Sequence, residues 1–474
     1  MTDTSQNTTK QQRRTFLACT LGAGLFGTAA RCLPGAYAGE ADSGDFSAGE
    51  GVVDTTPPLG IELGGFHRSP GNERRVEGIR QTTAARALVL QRGDEQVALI
   101  SLDLAGTSDD VARRIQQQVA AATRIPPANV RVCSTHTHSM PAFLYLRQWG
   151  AIPEDYMAMV EKKAVEAVQL AQADLSPAKL LVGKSRAVGA SFNRTTPNFK
   201  TDETFGSDST DSERWLDTML RVLFFERGDG KHNLLWYHFS AHPVCYADGQ
   251  AGPDWPGLVH DRVKESHHVA PSLLQGHAGD VNPGAGDPWR GDAEQTATAL
   301  HTAITEAMNN LHAIPVTTLR SQTTSHGVAF DMELFAAWLT RYRDEPTKCA
   351  SGEWVDAGFA LDWYEANVKR SRDQNHLPVV ISAMQIGDVA LAFHPFELYS
   401  YYGLAIQRSA PLSDTIVVGY TDGLIGYLTD PKAYLAGEYA AMTVPRILDY
   451  PPFTQTAAAQ LTEAVVRLLK QTVS

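Results

Sequence analysis

The sequence is poor in cysteine, with five in 474 residues. Two of them, Cys19 and Cys32, fall within the first 38 positions, leaving Cys133, Cys245 and Cys349 for the rest. Three cysteines are no disulfide framework and at least one stays unpaired, so the fold has to rest on its core. Beyond position 40 no run of 18 or more apolar residues occurs, which excludes a membrane-spanning helix there. Basic excess is missing too: 41 Lys and Arg stand against 53 Asp and Glu, a formal charge of −12. That balance argues against nucleic acid as the main ligand, because neutralising phosphates needs a basic surface. Internal repeats and low-complexity linkers are absent, so one compact domain is expected. What remains is 43% apolar and 20% charged, the composition of a folded globular chain with a sizeable core. The one oddity is fifteen histidines.

The first 38 residues read as an address. Paired Arg13-Arg14 ahead of Phe16-Leu17, and a Gly/Ala-rich run from Phe16 to Ala30, resemble a twin-arginine export signal, without the basic residue usual after Leu17. Ala36-Tyr37-Ala38 supplies a small-residue cleavage site. Cleavage there leaves 436 of the 474 residues, and removes Lys10, Arg13, Arg14, Arg31 and Asp3. The mature balance becomes 37 basic against 52 acidic residues, or −15. A periplasmic or secreted bacterial protein is therefore expected, folded and loaded with any metal before export. Residues 39–50, rich in Gly, Ala, Asp and Ser, read as a flexible leader.

From there strands and helices alternate. Arg86–Gln91 and Val97–Leu104 predict a hairpin around Gly93-Asp94, and Thr107–Ala122 a helix capped by Ser108 or Asp109. Pro126–Asn129 turns into a strand, Val130–Cys133, and a long helix starts after Pro153. Leu234–Phe239, Val379–Met384 and Val389–Phe393 read as strands. Thr456–Lys470 predicts a final helix with Leu461, Ala464, Val465, Leu468 and Leu469 on one face. The fold class expected is α/β, with multilayered, mostly buried sheets flanked by helices. Residues 331–376, with Trp338, Trp354 and Trp363, are either an inserted lid or an ordinary helical layer. Aromatic helices normally pack on something, which favours the layer.

His136-Thr137-His138 follows a strand, and on an extended chain residues i and i+2 project to one side. His242-Pro243 and His394-Pro395-Phe396-Glu397 also stand at strand ends, where α/β sites usually lie. The loop Gly276–Pro283 carries Asp280 and Asn282, and the tract Gly419–Tyr439 carries Tyr420, Tyr427, Tyr434 and Tyr439. Taken singly, each of the strand-end residues His242, His394 and Glu397 is more often structural than a ligand. Together they suit a zinc hydrolase.

These residues resemble the neutral/alkaline (non-lysosomal) ceramidase family from about Gly51 to Tyr439. The matching blocks are Asp54–Gly60, Ala87–Leu90 with Val97–Leu104, and Ser134-Thr135-His136-Thr137-His138-Ser139. They continue through Phe192-Asn193-Arg194, Ala241–Val244 with Asp254–Gly257, Gly279–Pro283 and Pro395-Phe396-Glu397, closing at Gly426-Tyr427 and Glu438-Tyr439. The resemblance implies one Zn²⁺ per chain held by His136, His242, Glu397 and Tyr427. It implies His138 as the general acid/base and Tyr439 as an oxyanion donor, with Arg194 holding substrate or a neighbouring acid. Asp103, Asp254 and Asp280 are either partners that orient imidazoles or purely structural acids.

Three departures stand out. Asn282 replaces the Ser of the family's glycine-rich loop, and an amide cannot form an acyl-enzyme ester, although it can donate an N–H to substrate. Only 35 residues follow Tyr439, so the family's C-terminal β-sandwich is not expected. Ser139 is followed by Met140–Tyr145 where the family has glycine, which alters the wall beside His138. The reading that results is a zinc-dependent hydrolase of linear N-acyl amide bonds, ceramidase-like and using a zinc-bound water. Its expected partner is a small-molecule N-acyl substrate, lipids included, which places it in sphingolipid metabolism. One alternative is a zinc hydrolase of a small polar or sugar-derived N-acyl substrate. The other is a non-catalytic relative that only binds metal or lipid.

Overall fold

The computed structural model describes residues 45–195 and 215–473. The export signal read over 1–38 lies outside the described residues. In chain order the main strands are β1 (Phe46–Asp54), β2 (Ala84–Arg92), β3 (Glu95–Leu102), β4 (Val130–Ser134), β5 (Ser176–Arg186), β6 (Met219–Arg227), β7 (Leu234–Phe239), β8 (Pro271–Gln275), β9 (His312–Ile314), β10 (Leu319–Ala329), β11 (His376–Ile386), β12 (Val389–Phe393) and β13 (Asp414–Val418). The main helices are α1 (Asp109–Thr123), α2 (Glu154–Ala173), α3 (Trp255–His267), α4 (Ala293–Asn309), α5 (Met332–Asp344), α6 (Ala357–Asn367), α7 (Ser400–Ser409) and α8 (Ala457–Val473).

Nine strands make one sheet in the order β8-β7-β6-β5-β1-β2-β3-β4, with β9 on β5, and β10-β11-β12-β13 make a second. Most neighbours run antiparallel, but β3–β4, β7–β8 and β12–β13 are parallel. The sheets stack face to face across a core drawn from strands of both, including Leu88, Leu99, Leu223, Trp236, Met384, Leu391 and Ile416. Helices α1 and α2 cover the outer face of β1–β4, where Val111, Ile115, Val160 and Val168 meet Ala87, Val89 and Ile100. On the outer face of β6 and β7, Val259 of α3 and Leu300 of α4 pack on Val222 and Leu235, while α7 and α8 cover the second sheet. The result is four layers, α/β/β/α. Both faces of the central strands are buried, which is why Leu88–Leu90 and Val97–Ile100 read as unbroken apolar runs rather than alternating ones. Each such side chain contributes on the order of 1.5–3 kcal/mol.

The flexible leader expected over 39–50 does not extend to residue 50, because strand β1 begins at Phe46 and lies in the middle of the large sheet. Its small residues serve close packing instead of flexibility. A Cβ at Gly49 or Gly51 would run into the backbone of α2 at Ala171 or Ala167, so these glycines let helix and strand touch. Helix α1 starts as its sequence predicts, with Ser108 Oγ accepting from the Val111 amide and Asp109 and Asp110 in the first turn.

Residues 331–376 form a packed layer. Trp338, Trp354 and Trp363 are buried around the guanidinium of Arg446, which lies 3.9, 3.7 and 5.9 Å from their ring centres. Arg446 also donates to the Glu353 carbonyl at 2.7 Å. Arg147 ties the layer to the body through ion pairs with Asp362 and Asp449.

Candidate metal centre and active site

The three parallel strand pairs deliver the polar residues. His136 and His138 follow β4, His242 follows β7, the loop Gly276–Pro283 follows β8, Glu397 follows β12, and Tyr420 and Tyr427 follow β13. Their carboxyl ends meet at one place, as the crevices of open α/β sheets do. Residues Glu397–Leu398 pair in parallel with Tyr427–Leu428, so ladder hydrogen bonds set Glu397 beside Tyr427.

The two histidines of the His-x-His motif do come together, their Nε2 atoms 3.2 Å apart. The backbone route differs from the extended one expected. β4 ends at Ser134 and His136 has φ +65°, a left-handed conformation that costs a non-glycine residue about 1–2 kcal/mol. This kink turns the imidazole inward. Hydrogen bonds from the Thr135 amide to the Leu102 carbonyl and from Thr137 Oγ1 to the Gly252 carbonyl, both 2.9 Å, hold it.

At the centre lies Glu397, its Oε2 3.3 Å from His136 Nε2 and 3.1 Å from His242 Nε2. The Tyr427 hydroxyl is 3.4 Å from His242 Nε2. His136, His138 and His242 are all buried, with nitrogens within 4.8 Å of one another. His136 stacks on Tyr420 at 4.4 Å between ring centres, and His138 is bordered by Phe66 and Trp149. Nδ1 of His136 faces the Ala105 carbonyl at 2.6 Å, and Nδ1 of His242 faces the Val281 carbonyl at 3.0 Å.

These contacts determine the chemistry. A carbonyl only accepts, so each Nδ1 carries the proton and each neutral ring presents an Nε2 lone pair. Two lone pairs and a carboxylate then converge with no proton between them. Ring protonation is opposed by burial, which together with Arg194 pulls His242 down to about 4. Burial and the neighbouring imidazoles likewise push His138 well below its usual range. Where a ring does take up a proton, the charge and hydrogen bond of His136 or His242 hold Glu397, against its own burial, well below the usual carboxylate range. Among the described residues no Lys or Arg pairs with Glu397. An unbalanced set of buried nitrogen and oxygen acceptors is what a divalent cation satisfies, so these residues fit a metal ion.

Arg194 donates from Nη2 to the Tyr427 hydroxyl at 2.8 Å and to the Gly279 carbonyl at 2.8 Å, and from Nη1 to Asn282 Oδ1 at 3.1 Å. Asn282 is buried and spends one amide N–H on the Trp289 carbonyl at 2.7 Å, leaving the other available. Tyr439 opens a short helix, Tyr439–Met442. It is 47% exposed and within electrostatic reach of Glu397 and Arg194, but forms no hydrogen bond to the cluster among the described residues.

The three acids read as structural or orienting fall on the structural side. Asp103 accepts from the Ala84 amide and Arg86, Asp254 caps α3, and Asp280 accepts from Ser400 and Asn193. None touches an imidazole, because backbone carbonyls already orient the rings. Those carbonyls, at Ala105 and Val281, were invisible in the sequence. So was the seat of His138 against Gly65, although the pair Gly64-Gly65 signalled a close approach: a Cβ at Gly65 would strike His138.

Known proteins share this arrangement of elements. The family model for neutral/alkaline non-lysosomal ceramidase, N-terminal, matches residues 46–251, a span that takes in His136, His138, Arg194 and His242 but stops short of Asn282, Glu397, Tyr427 and Tyr439. The neutral ceramidase of Mycobacterium tuberculosis is 23% identical over 83% of this chain and 73% of its own length. That of Pseudomonas aeruginosa is 25% identical over 44% of this chain and 33% of its own. The crystal structure of the neutral ceramidase from Pseudomonas aeruginosa superposes with a TM-score of 0.68 at 17% identity, over 90% of this chain and 74% of that one. Residues 46–251 thus match the N-terminal part of the neutral/alkaline non-lysosomal ceramidase family, and most of the chain is similar to neutral ceramidases in sequence and fold.

Proposed function

We propose that this protein hydrolyses the linear amide bond of an N-acyl lipid of the ceramide type, with one Zn²⁺ held by His136, His242, Glu397 and Tyr427. The observation that carries the reading is the convergence of unprotonated buried acceptors on Glu397, set beside the similarity to neutral ceramidases. Two nitrogen and two oxygen donors suit zinc. When bound, such an ion acts as a Lewis acid towards a carbonyl and lowers the pKa of water.

The chain's own residues supply the remainder. His138, unprotonated because it is buried, accepts a proton from the attacking water and passes it to the leaving amine nitrogen. A C–O bond forms at the acyl carbon, the C–N bond breaks, and a carboxylate and an amine leave. The Tyr439 hydroxyl, free of partners in the cluster, donates to the oxygen as negative charge develops there. Arg194 holds the Tyr427 hydroxyl and the Asn282 carboxamide, whose remaining N–H points the substrate. Asparagine forms no acyl ester, so water is the nucleophile.

Metal analysis together with turnover of N-acylsphingosine and of short polar N-acyl amides tests the reading. Ceramide cleavage with one zinc per chain supports it. Cleavage of small amides alone moves the substrate to the polar class, and stoichiometric zinc without hydrolysis makes the protein a binding relative. The Arg13-Arg14 pair and Ala36-Tyr37-Ala38 support action outside the cytoplasm, which fractionation of cells carrying Arg13→Lys and Arg14→Lys tests.

A further inference from the structure

The proton-carrying role proposed for His138 needs a backbone held in place, and one side chain is built to hold it. Arg74 is buried, and its guanidinium contacts carbonyl oxygens rather than a carboxylate. Nη1 donates to the carbonyls of His138 and Gly64, both at 2.9 Å, and Nη2 and Nε donate to the Asp248 carbonyl at 2.8 and 3.2 Å. The guanidinium also lies 4.9 Å from the centre of the Phe66 ring, and that ring stands edge-on to the His138 imidazole at 5.3 Å. Between Gly64 and Phe66, Gly65 at φ +93° presses against His138 so closely that no Cβ fits. Burying a guanidinium is costly, and burial here draws Arg74 down to about 10. A planar fork that reaches several carbonyls at once is a property Lys lacks.

We infer that Arg74 is a positioning residue for His138, fixing it from two sides: at its carbonyl oxygen by a hydrogen bond, and at its ring through Phe66. The other side of the same residue is held by its amide, which donates to the Pro243 carbonyl at 2.9 Å. None of the four residues proposed to hold the metal receives a bond from Arg74, so its loss acts on the proton carrier and spares the metal.

The test uses the full chain with Arg74→Lys and Arg74→Met. Both are expected to keep wild-type metal content. The turnover number on an N-acyl amide should fall by about a hundredfold in Arg74→Met, the cost of a misplaced catalytic group of roughly an ångström. KM should stay within about threefold, and Arg74→Lys should recover part of the loss. Crystal structures should show His138 displaced relative to His136 and His242. Turnover within about threefold of wild type in both variants, or metal loss in step with activity loss, overturns the inference. Should the wild type cleave no amide, the proposed function fails. The crystallographic position of His138 then decides the inference separately, an unmoved ring overturning it. If Arg74→Met does not fold, Phe66→Leu leaves every carbonyl bond in place and should still displace the ring.

Discussion

Two buried histidine clusters sit side by side in this molecule, and only one has the makings of a metal site. The first is His136, His138 and His242 around Glu397. The second is His238, His277 and His394 beside Asp217, all of them buried. The two are interleaved along the chain: His238 precedes His242 by four residues, and His394 precedes Glu397 by three. They differ in where the ring nitrogens point. In the second cluster His238 turns Nε2 to the Val417 carbonyl at 2.9 Å, and His394 accepts at Nδ1 from the Phe396 amide at 3.3 Å. Its carboxylate already has charge balance, since Asp217 accepts from Gln407 at 3.0 Å and lies 3.6 Å from Arg221. In the first cluster the Nδ1 atoms of His136 and His242 face carbonyls, their Nε2 atoms converge, and among the described residues no Lys or Arg forms an ion pair with the carboxylate. A metal site is marked by unbalanced acceptors, not by a count of imidazoles.

The strongest test of that contrast removes one histidine from each cluster. His136→Ala or His242→Ala should abolish metal binding and lower turnover by a factor on the order of a thousand or more, whereas His277→Ala should keep its metal. Full metal retention in His136→Ala, measured by elemental analysis, would sink the proposed ligand set. Next in size, His138→Ala should retain metal and lose about 10²–10⁴ of its turnover, the worth of a general acid/base; metal loss in step would make His138 a ligand instead. Tyr439→Phe should cost on the order of a hundredfold in the turnover number with no change in melting temperature, because the Tyr439 hydroxyl makes no hydrogen bond to the cluster among the described residues.

Acid should expose the second cluster. Burial pulls His238 and His394 down to about 3, so both are neutral in the native chain while the unfolded chain takes up protons near pH 6.5. Their stabilisation is therefore complete above about pH 6.5 and declines as pH falls towards 3, by about 1.4 kcal/mol per pH unit for each histidine. Urea unfolding of His394→Asn should show a slope shallower by that amount, and an unchanged slope would place the proton elsewhere. The smallest effect expected is His277→Asn, which should cost about 1–3 kcal/mol of stability and leave metal content and KM alone.

Much of the framework could be read in advance. Leu234–Phe239 and Val389–Phe393 are strands with those limits, because continuous apolar runs flanked by polar residues leave few alternatives. Ser108 announces α1 for the same local reason. Where reading failed, the cause was non-local. Gly49 reads as flexible leader until the α2 backbone is seen against it, and Asp103 stays open between an imidazole partner and a structural acid until Arg86 is seen to hold it. At the site, the residue types were legible one strand end at a time. The left-handed kink at His136, the carbonyls that set the ring tautomers and the hub at Arg74 arise from contacts between segments distant in sequence, and no local pattern encodes them.

The place of β1 carries a consequence for how the chain assembles. It pairs along its whole length with β2 and joins β5 through Ser47 and Ala48, so the strands on either side of it, β2–β4 and β5–β8, become one sheet through this strand. Each half can zip up from neighbouring segments, but their union waits on contacts made across more than a hundred residues, the slow kind in folding. Until β1 is seated, two strand edges lie open, and open edges recruit other chains. A fusion or cut that keeps Phe46–Asp54 from seating should therefore show itself first as aggregation during refolding, before any loss at the His136–His242–Glu397 cluster is measurable.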